Sequence, residues 1–100
     1  MSAFNVVRMR AKPGSVDAFL KFHSEEDLGA MPGLKRMAVV KTGERDFCFV
    51  GEWSGMDALA AARPAMIAAL DTFRDKLEDL GEGLGVTDPV SGEAVIDRSA

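Results

Sequence analysis

The segment from Asp46 to Trp53 constrains the fold more than any other part of the chain, because apolar side chains occur at both of its alternating sets of positions. Successive side chains of a strand point to opposite faces of a sheet. One face would hold Phe47, Phe49, Gly51 and Trp53, and the other would hold Cys48, Val50 and Glu52. A strand with one face in water alternates apolar and polar residues instead. The segment therefore predicts a strand in a sheet that is covered on both faces.

The chain before this segment predicts a strand followed by a helix. Residues Phe4 to Ala11 form an apolar run that ends at the break Pro13–Gly14, which is typical of a strand end. The hydroxyl of Ser15 can cap a helix. The buried face of that helix is indicated by helical spacing of Val16, Phe19, Leu20 and His23. We expect this helix to end near Gly29.

A hairpin and a last strand complete the expected four-stranded sheet. Leu34 to Lys41 predicts a second strand, and the polar turn from Thr42 to Arg45 joins it to the third in antiparallel pairing. Residues Leu84 to Ile96 predict the last strand region, which is interrupted by the turn-forming pairs Asp88–Pro89 and Ser91–Gly92.

The stretch between the third and last strands predicts helices. Ser54, with Asp57 three residues later, is close to a capping box. We expect Pro64 to divide the stretch into a short helix, a bend and a longer helix from Pro64 to Leu80, because proline disrupts a helix interior. The longer helix would be amphipathic, as in a helix packed on a sheet. Its apolar face would comprise Met66, Leu70, Phe73, Leu77 and Leu80.

The element order strand, helix, strand, strand, helix, strand is that of the ferredoxin-like split βαβ arrangement. This is an α+β fold with both helices on one face of a four-stranded antiparallel sheet. A length of 100 residues fits a single domain over residues 1–100. One copy would leave the second sheet face open, yet apolar residues occur on both sides of the strands. We therefore expect a homodimer in which a second copy covers that face.

Composition and charge exclude several classes of function. The formal net charge of -4 and the scattered basic residues argue against nucleic acid as a partner, since phosphate binding needs clustered Lys and Arg. Cys48 is the only cysteine, which excludes an intrachain disulfide and a cysteine-rich zinc site. No apolar run approaches the length of a membrane span, and the N-terminus lacks a signal-peptide pattern. The expected location is the cytoplasm.

Four stretches resemble, in order and spacing, the antibiotic biosynthesis monooxygenase family: Val6–Gly14, Met31–Leu34, Phe49–Ser54 and Asp57–Leu59. The resemblance runs from Phe4 to Leu80 and is weaker over the last strand region. It implies a dimeric α+β barrel, in which two sheets meet back to back and each helical layer covers a pocket. It also implies an enzyme that deprotonates a quinol or polycyclic phenol, whose anion reduces molecular oxygen without flavin or metal. No cofactor is therefore expected.

Two residues are candidates for catalysis. Trp53 matches a tryptophan that the family carries at the end of the third strand, and its indole N–H could donate a hydrogen bond to a substrate oxygen. Most tryptophans are instead core or interface residues. His23 is the only histidine, and it could deprotonate a phenol that enters between helix and sheet. A partly buried structural histidine is the more common case.

Three further residues are candidates for substrate binding. Asn5 could hydrogen-bond a ligand from the first strand, Arg63 could pair with an anionic substrate or enolate, and Met66 could line an adaptable pocket. The simpler alternatives are an ordinary polar residue at a strand start, a solvated charge and core filling. Cys48, between two phenylalanines, is expected to be a buried and unreactive thiol. No metal site is expected, because one histidine and one cysteine provide too few of the usual ligands.

One departure from the family pattern leaves several functions open. Many family sequences carry histidines in the helical stretch after the tryptophan, whereas Ala60 to Met66 contains none. The family's candidates for a general base and for a haem iron ligand are therefore missing. A cofactor-independent monooxygenase acting on a small phenol or quinol competes with a non-catalytic dimer that binds an apolar small molecule or serves as an accessory domain. An isomerase or lyase of the same fold is a remoter alternative, since fold alone does not decide chemistry.

Overall fold

The computed structural model describes all residues from Met1 to Ala100 and confirms the α+β ferredoxin-like fold. The elements are β1 (Ala3–Arg10), α1 (Val16–Glu25), β2 (Leu34–Lys41), β3 (Asp46–Trp53), α2 (Met56–Asp71) and β4 (Asp88–Glu93). Two short 3-10 helices cover Leu28–Ala30 and Arg74–Lys76. The strands form one sheet in the order β2-β3-β1-β4, and every neighbouring pair is antiparallel. The two central strands, β3 and β1, therefore carry the residues that lie deepest beneath the helices.

Helix α1 packs on the sheet through Phe19 and His23 of its predicted apolar face, whereas Leu20 of that face is 42% exposed. Phe19 is fully buried and its ring stacks on Phe47 of β3, with ring centroids 4.8 Å apart. Ser15 occupies the N-cap, but its side chain makes no capping hydrogen bond; its carbonyl accepts from the Phe19 amide at 3.0 Å. The helix ends at Glu25 and not near Gly29, because Asp27 redirects the chain by accepting the Gly29 amide in a 3-10 turn.

The helix-covered face of the sheet contains two packed clusters. The larger cluster joins α1 and the segment after α2 to β1 and β3. It consists of Met9, Ala11, Phe19, Phe47, Phe73 and Leu77. The smaller cluster surrounds Trp53 and consists of Ala3, Trp53, Leu59 and Ala62. Phe47 and Trp53 are fully buried at opposite ends of β3. The alternation of side chains along a strand predicts that both lie on the same face. The space between the two clusters is the region in which a ligand pocket can form.

Helix α2 corrects the predicted break at Pro64. The helix is continuous from Met56 to Asp71 with Pro64 inside it, and its N-cap is Gly55 instead of Ser54. Proline removes one backbone donor, but the flanking stretch is rich in alanine, which is the strongest helix former. The helix also ends at Asp71, well before Leu80. Thr72 is its C-cap, and the Thr72 hydroxyl donates to the Ala69 carbonyl at 2.6 Å.

Two apolar residues that follow α2 are buried although they do not lie in an α-helix. Phe73 is buried where the chain leaves α2, and Leu77 is buried where the chain forms an isolated antiparallel bridge with Ala11. For Phe73 and Leu77, the three- and four-residue spacing therefore predicted burial correctly and a helix wrongly. The bridge also explains why β1 ends at Arg10, one residue before the predicted boundary, since Ala11 pairs outside the sheet.

The last strand is shorter than predicted. Strand β4 covers Asp88–Glu93, whereas the glycine-rich stretch from Gly81 to Gly85 turns in a loop with several residues at positive φ. The turn-forming pairs Asp88–Pro89 and Ser91–Gly92 are tolerated inside β4 because it is an edge strand, with only β1 as a neighbour. Beyond the strand, Val95 and Ile96 are 85% and 80% exposed.

The sheet face away from the helices carries an apolar centre with ion pairs beside it. Val6 lies opposite Val50, and Val40 lies opposite Cys48, so small apolar side chains adjoin across three strands. Arg8 and Arg10 flank them on β1, bonded to Asp88 at 3.2 Å and to Asp46 at 2.6 Å. We call this surface the open face, defined by Phe4, Val6, Ala38, Val40, Cys48 and Val50.

Candidate functional site

A pocket of about 410 Å³ lies between the helix-covered face of the sheet and the helices. Its sheet wall comes from β1, β3 and β4, and α1 and α2 supply the other walls. Most lining side chains are apolar, with a few polar groups among them, which is the usual composition of a small-molecule site of this size. Asn5, His23, Glu26, Arg63, Thr87 and Ser91 are those polar groups.

His23 places an imidazole at one end of this pocket. The side chain is 8% exposed, and its ring lies among Phe19, Phe73 and Phe49 at centroid distances of 4.4, 5.1 and 6.2 Å. Its Nδ1 is 2.9 Å from the Phe19 carbonyl oxygen. A carbonyl can only accept, so Nδ1 carries the hydrogen and Nε2 of the neutral ring keeps its lone pair. The imidazole is therefore held in the tautomer that can accept a proton at Nε2.

Glu26 is a pocket residue that the sequence analysis missed. It follows α1 as its C-cap and lines the same pocket as His23. Partial burial raises the pKa of the Glu26 carboxyl above its ordinary value, and the charge of a protonated His23 acts in the opposite direction. The signal that could have revealed it is the three-residue step from His23 to Glu26, which brings two acid–base groups to one side of a helix end.

A buried hydrogen bond joins Trp53 and Asn5 across neighbouring strands. The indole N–H of Trp53 donates to Oδ1 of Asn5 at 2.8 Å, and both residues are buried. The Asn5 amide nitrogen is 3.7 Å from the Met66 sulfur. Asn5 and Met66 line the pocket, but Trp53 does not. The predicted hydrogen bond from Trp53 to a substrate therefore disagrees with this geometry, because the only indole donor is already used inside the protein.

Gly51 makes this pair possible. A Cβ at Gly51 would collide with the side-chain oxygen of Asn5 and lie 3.0 Å from the Trp53 indole nitrogen. Asn5 and Gly51 are register partners in the β1–β3 ladder, so the side chain of Asn5 occupies the space above this glycine. The orientation of the amide follows: Oδ1 faces the indole and Nδ2 remains on the Met66 side, where the pocket lies.

Arg63 lies at the opposite end of the pocket from His23. Its Nη2 donates to the hydroxyl of Ser91 on β4 at 3.2 Å, and both residues are exposed at the pocket rim. The structure thus brings His23, Asn5, Arg63 and Met66 around one cavity. Cys48 instead lies on the open face and is half-buried, which corrects the expectation of a buried thiol.

Two other features of the structure bear on the kind of site. No group of three or more His, Cys, Asp and Glu side chains is arranged to hold a metal ion. No helix combines the length and the apolar character needed to cross a bilayer.

Comparisons with known proteins show what this architecture is similar to. No family model and no curated protein matches the chain. A solved structure named as an antibiotic biosynthesis monooxygenase from Chloroflexus aurantiacus is 17% identical with a TM-score of 0.72, over 99% of this chain and 98% of that one. SnoaB, a cofactor-independent oxygenase from Streptomyces nogalater, is 14% identical with a TM-score of 0.66, over 96% and 95%. A dimeric ferredoxin-like protein from an uncultured marine organism is 13% identical with a TM-score of 0.73, over 99% and 92%.

These comparisons confirm the resemblance to antibiotic biosynthesis monooxygenases at the level of the fold. The chain is of the ferredoxin-like α+β class, with a largely apolar pocket under its helices. Its reaction and substrate have to be argued from the pocket, because one fold supports many activities.

We predict that Gly51→Ala destabilises the protein by about 2 kcal/mol, since the added methyl group displaces Asn5 and breaks its bond to Trp53. Gly92→Ala on β4 is the matched control, because a Cβ there meets nothing within 4 Å; its stability should change by less than about 0.5 kcal/mol. Denaturant unfolding gives both values. Fluorescence of Trp53, the only tryptophan, should change in the Gly51 variant alone. Equal effects of the two substitutions would contradict the crowded geometry.

We predict that Glu26→Gln stabilises the protein at neutral pH but not near pH 4. A carboxyl whose pKa is raised on folding favours the folded state at low pH, and this contribution is lost as pH rises through the folded-state value. Glutamine does not ionise, so the gain should appear only above the ordinary glutamate value of about 4.3. Thermal unfolding of the variant and the wild type across this pH range measures it. The prediction is wrong if the difference is independent of pH.

Proposed function

We propose that this protein is a cofactor-independent monooxygenase that oxidises a small phenol or quinol with molecular oxygen. The observation that carries the proposal is the imidazole of His23, which lines an apolar pocket with its Nδ1 bonded to a carbonyl and its Nε2 free to accept a proton. A phenol that enters the pocket can be deprotonated there. The fold shared with SnoaB, a cofactor-independent oxygenase, supports the same reaction class.

The reaction balances with substrate and oxygen alone. A phenol with hydrogen on the carbon opposite its hydroxyl loses the phenolic proton to Nε2 of His23, and the electron-rich anion reduces oxygen. One oxygen atom enters at the ring carbon, and the product is a quinone; the second atom leaves as water with the two displaced hydrogens. The substrate supplies all four electrons, so no further reductant is needed. The protein provides proton transfer, orientation and an apolar environment.

The remaining polar groups have distinct roles in this proposal. The Asn5 amide, fixed by Trp53, orients an oxygen atom of the substrate through its N–H groups. Trp53 acts through Asn5 and is a positioning residue. Glu26 lies beside His23, and its carboxylate stabilises the imidazolium that forms when His23 takes the proton. Arg63 and Met66 contact the substrate from α2.

A binding or accessory domain is the second candidate function. Two observations favour it: the Trp53 N–H is occupied within the protein, and the stretch Ala60 to Met66 has no histidine. The same pocket would then hold an apolar small molecule without converting it. Turnover of a phenol separates the two candidates.

We also propose that the protein is a homodimer through the open face. Val40, on the edge strand β2 of this face, is 46% exposed, and ion pairs of Arg8 and Arg10 lie on β1 of the same face. A second copy of the chain would bury this apolar area and leave the ion pairs at the rim, which is the usual anatomy of an interface. The dimeric ferredoxin-like protein with the same fold supports this arrangement.

For the enzyme proposal, we expect purified wild-type protein to consume oxygen with a naphthol that carries hydrogen on the carbon opposite its hydroxyl, and to form the corresponding quinone. His23→Gln should lower the rate by about 10²–10⁴-fold, because glutamine is polar but cannot take the proton. Ser24→Ala, one residue later on the exposed side of α1, is the matched control and should retain the rate. An oxygen electrode measures turnover, and circular dichroism shows that the variants are folded.

Two outcomes would change the assignment. If His23→Gln keeps the wild-type rate, the base lies elsewhere and Glu26 becomes the next candidate, tested by Glu26→Gln. If the wild type converts no phenol or quinol but binds naphthol in its pocket, the monooxygenase proposal is wrong and the binding domain is supported.

For the dimer, sedimentation at micromolar concentration should give about twice the 10.7 kDa chain mass. Val40→Lys should weaken association by at least about tenfold, since it buries an unpaired charge in the interface. Leu20→Lys makes the same change at a 42% exposed position of α1, on the other side of the sheet, and should leave the dimer intact. A monomeric wild type would rule out this interface.

A further inference from the structure

The pocket has a positive end and a negative end. Arg63 is the only lysine or arginine among its lining residues, and Glu26 is the only aspartate or glutamate. Arg63 projects from α2 and Glu26 follows α1, so the two charges come from different walls of the cavity. A ligand with its own charge would therefore bind in one orientation only.

Arg63 has no carboxylate partner, whereas three of the arginines around the sheet do. Arg8, Arg10 and Arg45 each lie within 3.2 Å of an aspartate or glutamate oxygen. Arg63 bonds only to the neutral hydroxyl of Ser91 and forms no salt bridge. A guanidinium group has five N–H donors in a planar fork that matches a carboxylate. The fork of Arg63 is thus available to an anionic group at the pocket rim.

The strand register gives the distance between the two ends. Ser91, the partner of Arg63, lies opposite Asn5 across the β1–β4 ladder. His23 contacts Phe49, which lies opposite Val7, and Phe19, which stacks on Phe47 opposite Met9. The β1 positions that lie beside the guanidinium and beside the imidazole are therefore two to four residues apart, or about 7–13 Å along the strand at 3.3 Å per residue.

We propose that the substrate is an aromatic acid, with its carboxylate bound by Arg63 and its phenolic hydroxyl at His23. This inference rests on the proposed function, because it assumes that a phenol is deprotonated at His23. Fused aromatic rings span the apolar middle of the pocket, between Val7, Phe49 and Leu70. Glu26 repels a carboxylate from the imidazole end, so the phenol and not the acid reaches the base. Arg63 thereby determines substrate class and orientation.

The test compares two fluorescent probes in the intact protein: a hydroxynaphthoic acid with its hydroxyl and carboxyl groups on opposite rings, and naphthol, which lacks the carboxyl group. We expect the acid to bind about tenfold more tightly than naphthol, the size expected for a partly exposed charge-assisted contact. Arg63→Gln should abolish this preference and change naphthol affinity by less than about twofold. The preference should also fall as salt is raised.

Lys21→Gln on the exposed side of α1 is the matched control, because it removes the same charge from the chain and leaves the pocket unchanged. Its preference for the acid should equal that of the wild type. If Arg63→Gln weakens both probes equally, Arg63 shapes the pocket and the anion site is refuted. If the wild type binds both probes equally and still oxidises naphthol, the substrate class is wrong while the monooxygenase function stands. If neither probe binds or reacts, both proposals fail.

Discussion

The buried hydrogen bond from Trp53 to Asn5 is the constraint on which the candidate site depends. A buried indole N–H without a partner would cost about 1–3 kcal/mol, so the bond holds both side chains in place. It requires a glycine at position 51, where the Asn5 side chain crosses the neighbouring strand. The result is a polar group of fixed orientation on the central strand β1, whose other lining residues, Val7 and Met9, are apolar. The Asn5 amide is therefore a fixed polar group in the pocket that His23 and Arg63 also line.

In the proposed reaction, the proton acceptor comes from a different wall of the pocket. Helix α1 brings His23 against the sheet through Phe19, whose ring packs on Phe47 and whose carbonyl fixes the imidazole tautomer. The rigid sheet therefore supplies orientation, and the helix supplies the proton acceptor. The proposed reaction therefore needs no catalytic residue in the stretch after Trp53, where Ala60 to Met66 contains no histidine.

The fold could be predicted well because its signals are local. Alternation in β1, β2 and β3 and the helical spacing around Phe19 are properties of neighbouring residues, and the strand bounds agree to within one residue. The prediction failed after α2. There, Phe73 and Leu77 keep a helical spacing but are buried by an irregular segment that pairs with Ala11. Periodicity indicates which residues are buried, and tertiary contacts decide which backbone conformation buries them.

The sequence by itself determined the element order, the two apolar faces of β3 and a set of candidate residues, four of which line one pocket. Only the tertiary structure decided the role of each. Trp53 and Asn5 are 48 residues apart, so no local pattern shows that the indole N–H of Trp53 donates to the side-chain oxygen of Asn5. Partial burial raises the pKa of the Glu26 carboxyl, and composition and spacing do not reveal that burial. Hydrogen-bond partners and local dielectric depend on residues distant in the chain, and these set the chemistry of the site.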